Sequence, residues 1–133
     1  MNKKILVVDD DKDIIEPLAL ILEAKGFTVK TIMKGKSVYS QIATFKPDLL
    51  LLDILMSGSD GRDICKKLKH DNKTRNLIVI MMSAHPSAEK DSAEIGADDF
   101  IAKPFETEDL LRLLEKHLSK KQKLLSNNSK QNF

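Results

Sequence analysis

Residues 4–11 read KILVVDDD, an aliphatic run broken off by three consecutive aspartates, Asp9, Asp10 and Asp11, with Asp13 close behind. Short apolar runs return as FTVKTI (27–32), DLLLLD (48–53) and LIVIMM (77–82), with a weaker DFIA at 99–102. Several of these are apolar almost throughout rather than alternating, which is what parallel strands covered on both faces require. Between them lie stretches with apolar residues at helical spacing. Asp13–Lys25 carries Ile14, Ile15, Leu18, Ile21 and Leu22 and is followed by Gly26, where a helix C-terminal cap is expected. Residues 36–45, 62–70, 87–95 and 107–118 read the same way. Pro17 lies beyond the first turn of the first helix, removes a backbone donor and is expected to bend it. Five β-α repeats in succession predict an α/β doubly wound domain, (βα)5.

Composition narrows the function. With 133 residues, 41% hydrophobic and 32% charged, the chain has the size and balance of one globular domain. A net charge of +2 and 5% aromatic residues give neither a basic footprint nor base-stacking platforms, so direct nucleic-acid binding is not expected. Cys65, the one cysteine, cannot form an internal disulfide and sits beside Ile64 and near Leu68, as a small core residue would. No segment approaches the roughly 18 apolar residues of a membrane span, and the run at residues 5–8 is too short for a signal-peptide core. A cytoplasmic protein without membrane insertion is expected. From Ser119 the chain turns polar, SKKQKLLSNNSKQNF, and residues 119–133 read as a tail, partly helical around Leu124 and Leu125 or disordered.

In an open parallel sheet, functional groups collect outside the carboxyl ends of the strands, near the point where strand order reverses. Asp9 and Asp10 close the first run, Asp53 the third and Ser83 the fourth, while Lys103 follows the fifth. All five would then surface on one edge. If the first and third strands are neighbours, three carboxylates crowd together, and each pair of like charges ~4 Å apart costs about 4 kcal/mol at an effective dielectric near 20. A hard divalent cation relieves that repulsion. A few oxygen ligands with room for water and a phosphoryl oxygen suit Mg2+ better than an enclosed Ca2+ cage, and no cysteine or histidine cluster supports zinc. Lys103 adds a cation for an anionic ligand, and Ser83 adds a hydroxyl donor. Carboxylate, metal, lysine and hydroxyl together describe a phosphoryl-transfer site, with a carboxylate as acceptor. Asp11 and Asp13 read more simply, as acids at the start of the first helix.

The motifs ILVVDDD, LLLLDILMSGSDG, IVIMMSAH and GADDFIAKPF occur in this order, each at a strand end. Together they resemble the receiver domain of bacterial two-component response regulators, CheY-like in type, over roughly residues 3–118. The resemblance implies a flavodoxin-like, five-stranded parallel sheet of order 2-1-3-4-5 flanked by five helices, and a receiver domain within residues 1–118. It implies that Asp53 is the phosphoacceptor, loaded by a histidine kinase or phosphotransfer protein. Asp10 and Asp53 would ligate Mg2+ directly, the backbone carbonyl of Leu55 would complete the protein ligands, and Asp9 would act chiefly through water. Lys103 would pair with a phosphoryl oxygen. Ser83 stands where the family has Thr or Ser, and Phe100 where it has an aromatic. Phosphorylation would draw the Ser83 hydroxyl inward and open space for Phe100 to turn, a shift between conformers. Ser57 stands where the family usually has proline, a departure expected to loosen that loop; Gly58 and Gly61 still permit its turn. Leu55 and His85 stand where side chains border the path of an attacking water. Leu55 offers no group to orient that water, so the phosphorylated form is expected to be long-lived.

The expectation is therefore a single-domain response regulator, a signalling switch rather than an enzyme with an external substrate. Its output would be protein contact, phosphorelay transfer or homodimerisation through the fourth helix, fifth strand and fifth helix, residues 86–118. Two alternatives stand beside it. VVDDD also contains the Asp-x-Asp spacing of haloacid-dehalogenase-like phosphohydrolases, with Asp9 as nucleophile and Asp11 as general acid, although that reading leaves Asp53 and Ser83 poorly explained. The other is a receiver-like fold kept only as an interaction scaffold.

Overall fold

Four leucines followed by an aspartate can be buried along their whole length only in the middle of a sheet covered on both sides, and that is where they lie. The computed structural model describes the backbone of residues 2–131 and the side chains of residues 2–120. Its strands are β1 (Lys4–Val8), β2 (Thr28–Ile32), β3 (Leu49–Asp53), the two-residue β4 (Leu55–Met56) and β5 (Ser59–Asp60), β6 (Ile78–Ser83) and β7 (Asp99–Ala102). Helices α1 (Lys12–Ala24), α2 (Val38–Phe45), α3 (Gly61–His70), α4 (Ala88–Glu94) and α5 (Thr107–Gln131) alternate with them, and a single 3-10 turn, Gly35–Ser37, leads into α2. Five strands form one parallel sheet in the order β2-β1-β3-β6-β7; β4 and β5 form a separate antiparallel hairpin. Without that hairpin, the order is the expected 2-1-3-4-5 of a doubly wound α/β fold.

Alternation along each strand sorts the core. Leu6 and Val8 of β1, Leu50 and Leu52 of β3, and Val79 and Met81 of β6 share a cluster with Val38 of α2, Ile64, Cys65 and Leu68 of α3, and Ala88 of α4. Their neighbours Ile5, Val7, Leu49, Leu51 and Ile80 are equally buried and point to the other face. There α1, with Ile15, Leu18 and Leu22 buried, packs on β1 and β2. Burial of a side chain of this size contributes roughly 1.5–3 kcal/mol each, so the sheet's central strands carry most of the stabilisation. Cys65 is fully buried, as expected, and burial pushes its thiol up to about 11.

Helix α1 runs through Pro17 as one helix of 13 residues. Asp11 caps it, its side chain accepting from the Asp13 N–H at 2.9 Å, and Asp13 lies in its first turn. Both acids thus have the helix-starting role expected of them.

The chain divides into two compact units, Met1–Lys103 and Pro104–Phe133. All strands and α1 to α4 belong to the first. The second is built on α5, which begins with Glu108 and Asp109 in its first turn, carries Leu110, Leu114 and Leu118 at four-residue spacing and continues past residue 118 to Gln131. Asn132 and Phe133, the end of the expected tail, lie outside the described residues, as do the side chains of Leu124 and Leu125. Among the described residues, no helix is long and apolar enough to cross a membrane.

Candidate functional site

Register places the site. Val8 pairs with Leu52, so Asp9 leaves β1 beside Asp53 at the end of β3. Asp53 pairs with Met82, which puts Ser83 one residue further along the same edge. The Lys103 N–H then donates to the Ser83 carbonyl at 2.9 Å, and this anchors the lysine's backbone to the end of β6. Asp9, Asp10, Asp53, Leu55, Ser83 and Lys103 all line one open cleft of about 540 Å3.

One oxygen from each of Asp9, Asp10 and Asp53 lies within 4.8 Å of the others. Lys103 Nζ donates to Asp9 Oδ2 at 2.5 Å and to Asp53 Oδ1 at 3.1 Å. Asp9, fully buried, also accepts from the Asp11 N–H at 3.0 Å through Oδ1, so both of its oxygens are engaged. Asp53 Oδ2 receives no hydrogen bond among the described residues. Asp10 Oδ2 accepts from the Ser57 N–H at 2.8 Å.

The electrostatics follow from this crowding. Burial pushes the Asp53 carboxyl up to about 6; Lys103 pulls it back, while the charges of Asp9 and Asp10 push it further up. Burial alone would lower the Lys103 ammonium, but its hydrogen bond to Asp9 and the charges of Asp53 and Asp9 outweigh that and hold it above its ordinary value. One lysine against three carboxylates leaves a negative excess. The donors are hard oxygens, close together, at an open edge; they fit a small divalent cation of the Mg2+ kind and do not fit a soft one.

Ser83 is buried at 3% exposure, and its Oγ accepts from the His85 N–H at 3.1 Å, which leaves the hydroxyl proton to be donated elsewhere. Phe100 does not line the cleft. It is half-buried against the core cluster and pairs in register with Met81, so it shares a sheet face with Ser83, two residues beyond Met81. Leu55 is 56% exposed at the rim. His85 Nδ1 accepts from the Ser87 N–H at 3.2 Å and lies 2.9 Å from Ser87 Oγ. A backbone N–H can only donate, so in the neutral ring the proton sits on Nε2.

The hairpin after Asp53 is what sequence reading missed. Gly61, the first residue of α3, donates its N–H to the Ile54 carbonyl at 2.7 Å, and a Cβ there would stand 2.3 Å from the Asp53 carbonyl oxygen. Asp60 caps α3 and holds Arg62, which reaches Asp91 of α4 at 3.0 Å. None of these contacts has a periodic pattern. Asp98, just before β7, is tied to Lys69 Nζ at 2.7 Å and to the Val79 N–H at 2.8 Å.

Comparison with known proteins bears on this arrangement. Residues 5–115 match the sequence profile of the response regulator receiver domain. The chain belongs to that family. Curated relatives include the alkaline phosphatase synthesis transcriptional regulatory protein PhoP of Bacillus subtilis, 39% identical over 108 residues, covering 79% of this chain and 44% of PhoP. The DNA-binding response regulator MtrA of Mycobacterium tuberculosis is 34% identical over 113 residues, 84% of this chain and 48% of MtrA. This receiver domain thus spans about half the length of those relatives. Among solved structures, a putative response regulator from Chloroflexus aurantiacus superposes with a TM-score of 0.85 at 33% identity, covering 90% of this chain and 99% of the other. The CheY-like fold expected of the sequence is the fold observed.

Proposed function

We propose that this receiver domain is a phosphorylation switch in which Asp53 accepts a phosphoryl group from a histidine kinase or phosphotransfer protein. The observation that carries the reading is the Lys103 bridge: its ammonium holds Asp9 and one oxygen of Asp53, leaving the second Asp53 oxygen, among the described residues, without a donor beside two further carboxylates. That oxygen is the nucleophile. It forms the new O–P bond as the donor's bond to phosphorus breaks and the leaving group departs with the electron pair. Lys103, already at the acceptor, is placed to take a phosphoryl oxygen, and the buried Ser83 hydroxyl has a proton free to donate to another. Asp10, Asp53 and the Leu55 carbonyl would hold a Mg2+ ion, with Asp9 acting chiefly through water, and the ion would supply charge neutralisation for the transfer. Because Ser83 and Phe100 share a sheet face, movement of the first toward a phosphoryl group alters the packing available to the second. The altered surface is read by a protein partner or a second copy through α4 and β7.

The phosphohydrolase alternative fares less well on geometry. Both Asp9 oxygens are occupied, and the Asp11 carboxylate caps α1 rather than standing as a free acid.

Incubation with MgCl2 and acetyl phosphate, followed by intact mass measurement, tests the reading. A single phosphoryl adduct is expected on the wild-type protein, absent in Asp53→Asn and absent with EDTA. An undiminished adduct in Asp53→Asn, mapped to Asp9, would overturn the assignment in favour of the hydrolase.

A further inference from the structure

Ser57 and Asp10 are 47 residues apart in the chain, yet the Ser57 N–H donates to Asp10 Oδ2 at 2.8 Å. We infer that this main-chain donor is a positioning group for the acidic pocket: it holds the Asp10 carboxylate by one oxygen and leaves the other for a divalent cation. The inference rests on reading the three-carboxylate cluster as a Mg2+ site.

Each clustered carboxylate needs something to hold it against its neighbours. Asp9 is held at both oxygens, by the Asp11 N–H and Lys103, and Asp53 is held at one, by Lys103. Asp10 is beyond the lysine's two bonds. Its hydrogen bond from Ser57 is the only one it receives among the described residues, so without it the half-buried side chain is free to turn from the other two charges toward water. Groups that fix a ligating carboxylate from outside the metal's own shell tune affinity by reducing the rearrangement that binding demands.

The donor exists because residue 57 is not proline. The connection between β4 and β5 is two residues long, Ser57 and Gly58. Gly58 has φ +76, while Ser57 is not among the residues with positive φ. Positive φ at the second central position alone is the type II pattern, whose first central position accepts proline readily. Met56, in an extended strand, also suits the residue before a proline. Ser57→Pro is therefore compatible with the turn and removes the one hydrogen in question, whereas Ser57→Ala removes the hydroxyl and keeps that hydrogen. The serine side chain is incidental; its amide is the functional part.

The experiment uses the full chain, isotope-labelled, with MgCl2 as the only probe. Two readouts are taken: amide shifts during Mg2+ titration, and the scalar coupling through the hydrogen bond between Ser57 N and Asp10 Cγ. The coupling is expected in the wild-type protein and in Ser57→Ala, and it should persist at saturating Mg2+. Ser57→Ala should bind Mg2+ as the wild type does, and Ser57→Pro about tenfold more weakly. Equal affinity in a folded Ser57→Pro overturns the positioning role, and so does loss of the coupling when the wild-type protein is saturated, a measurement that needs no variant. A wild-type protein that shows the coupling but no Mg2+-dependent shifts overturns the metal reading itself, which separates the two failures.

Discussion

Asp53 is the residue at which folding and function pull in opposite directions. Its carboxyl is pushed from an ordinary 3.8 to about 6, first by burial. A folded-state value above the unfolded one means that the folded protein binds the extra proton. The stability associated with that proton is fully present below the unfolded value and is lost as pH rises through the folded one. Above about pH 6 the ionised carboxylate is held at the expense of the fold. Asp53→Asn, which has no charge to bury, should therefore gain stability relative to the wild type as pH rises from about 4 to about 6. The gain should level off near neutrality at about 3 kcal/mol, a figure in which the opposing pull of Lys103 is already included. Urea midpoints of both proteins across that range measure it; parallel pH profiles would contradict it. Leu55, 56% exposed at the same cleft, makes a kinetic counterpart. With no polar group to orient water, it should keep the phosphorylated form long-lived, and Leu55→Asn should shorten that lifetime in a decay assay.

At the scale of elements, strands were legible and turns were not. A strand buried on both faces announces itself by continuous aliphatic residues, and β1, β3 and β6 could be read from ILVV, LLLL and IVIMM. Helices came from the 3.6-residue period, with ends uncertain by a residue or two because caps decide them. The β4–β5 hairpin has two-residue strands, too short for any period, and its main contacts use main-chain atoms that no residue letter records. For that reason Asp9, Asp10, Asp53, Ser83 and Lys103 were found as a group, while the Ser57 amide and the close passage of Gly61 were not. Ser57 could be seen only as a departure from the family's usual proline. The Gly61 passage gives a test: α3 starts where a Cβ would meet the Asp53 carbonyl oxygen at 2.3 Å. Backbone cannot yield as a flexible side chain can, so the hairpin or the helix start must shift. Gly61→Ala should cost about 1–3 kcal/mol in urea unfolding and, by displacing the end of β3 that carries Asp53, slow the phosphorylation from acetyl phosphate proposed for that residue. A variant with wild-type stability and rate would show that α3 does not set the position of Asp53.

For the whole molecule, the acidic edge is a local cost that the entire sheet supports. Residues 5–8 of β1 and the whole of β3, all buried, hold Asp9 and Asp53 side by side whether or not their charges agree, since separating them would mean exposing Leu50, Leu51 and Leu52. One lysine compensates part of the repulsion. Anything that binds the folded site and not the unfolded chain then stabilises the whole protein by mass action, about 2.7 kcal/mol at a hundredfold excess over Kd. Wild-type protein should accordingly unfold at higher temperature with increasing MgCl2, and Asp10→Asn, which removes one of the three carboxylates, should lose most of that response while starting from equal or higher stability without metal. NaCl at matched ionic strength distinguishes this from general screening, which acts weakly on buried pairs. If NaCl reproduces the MgCl2 effect, or if Asp10→Asn responds as the wild type does, the three oxygens at the end of the sheet do not form a cation site, and the reason this fold keeps them together must lie in something other than metal binding.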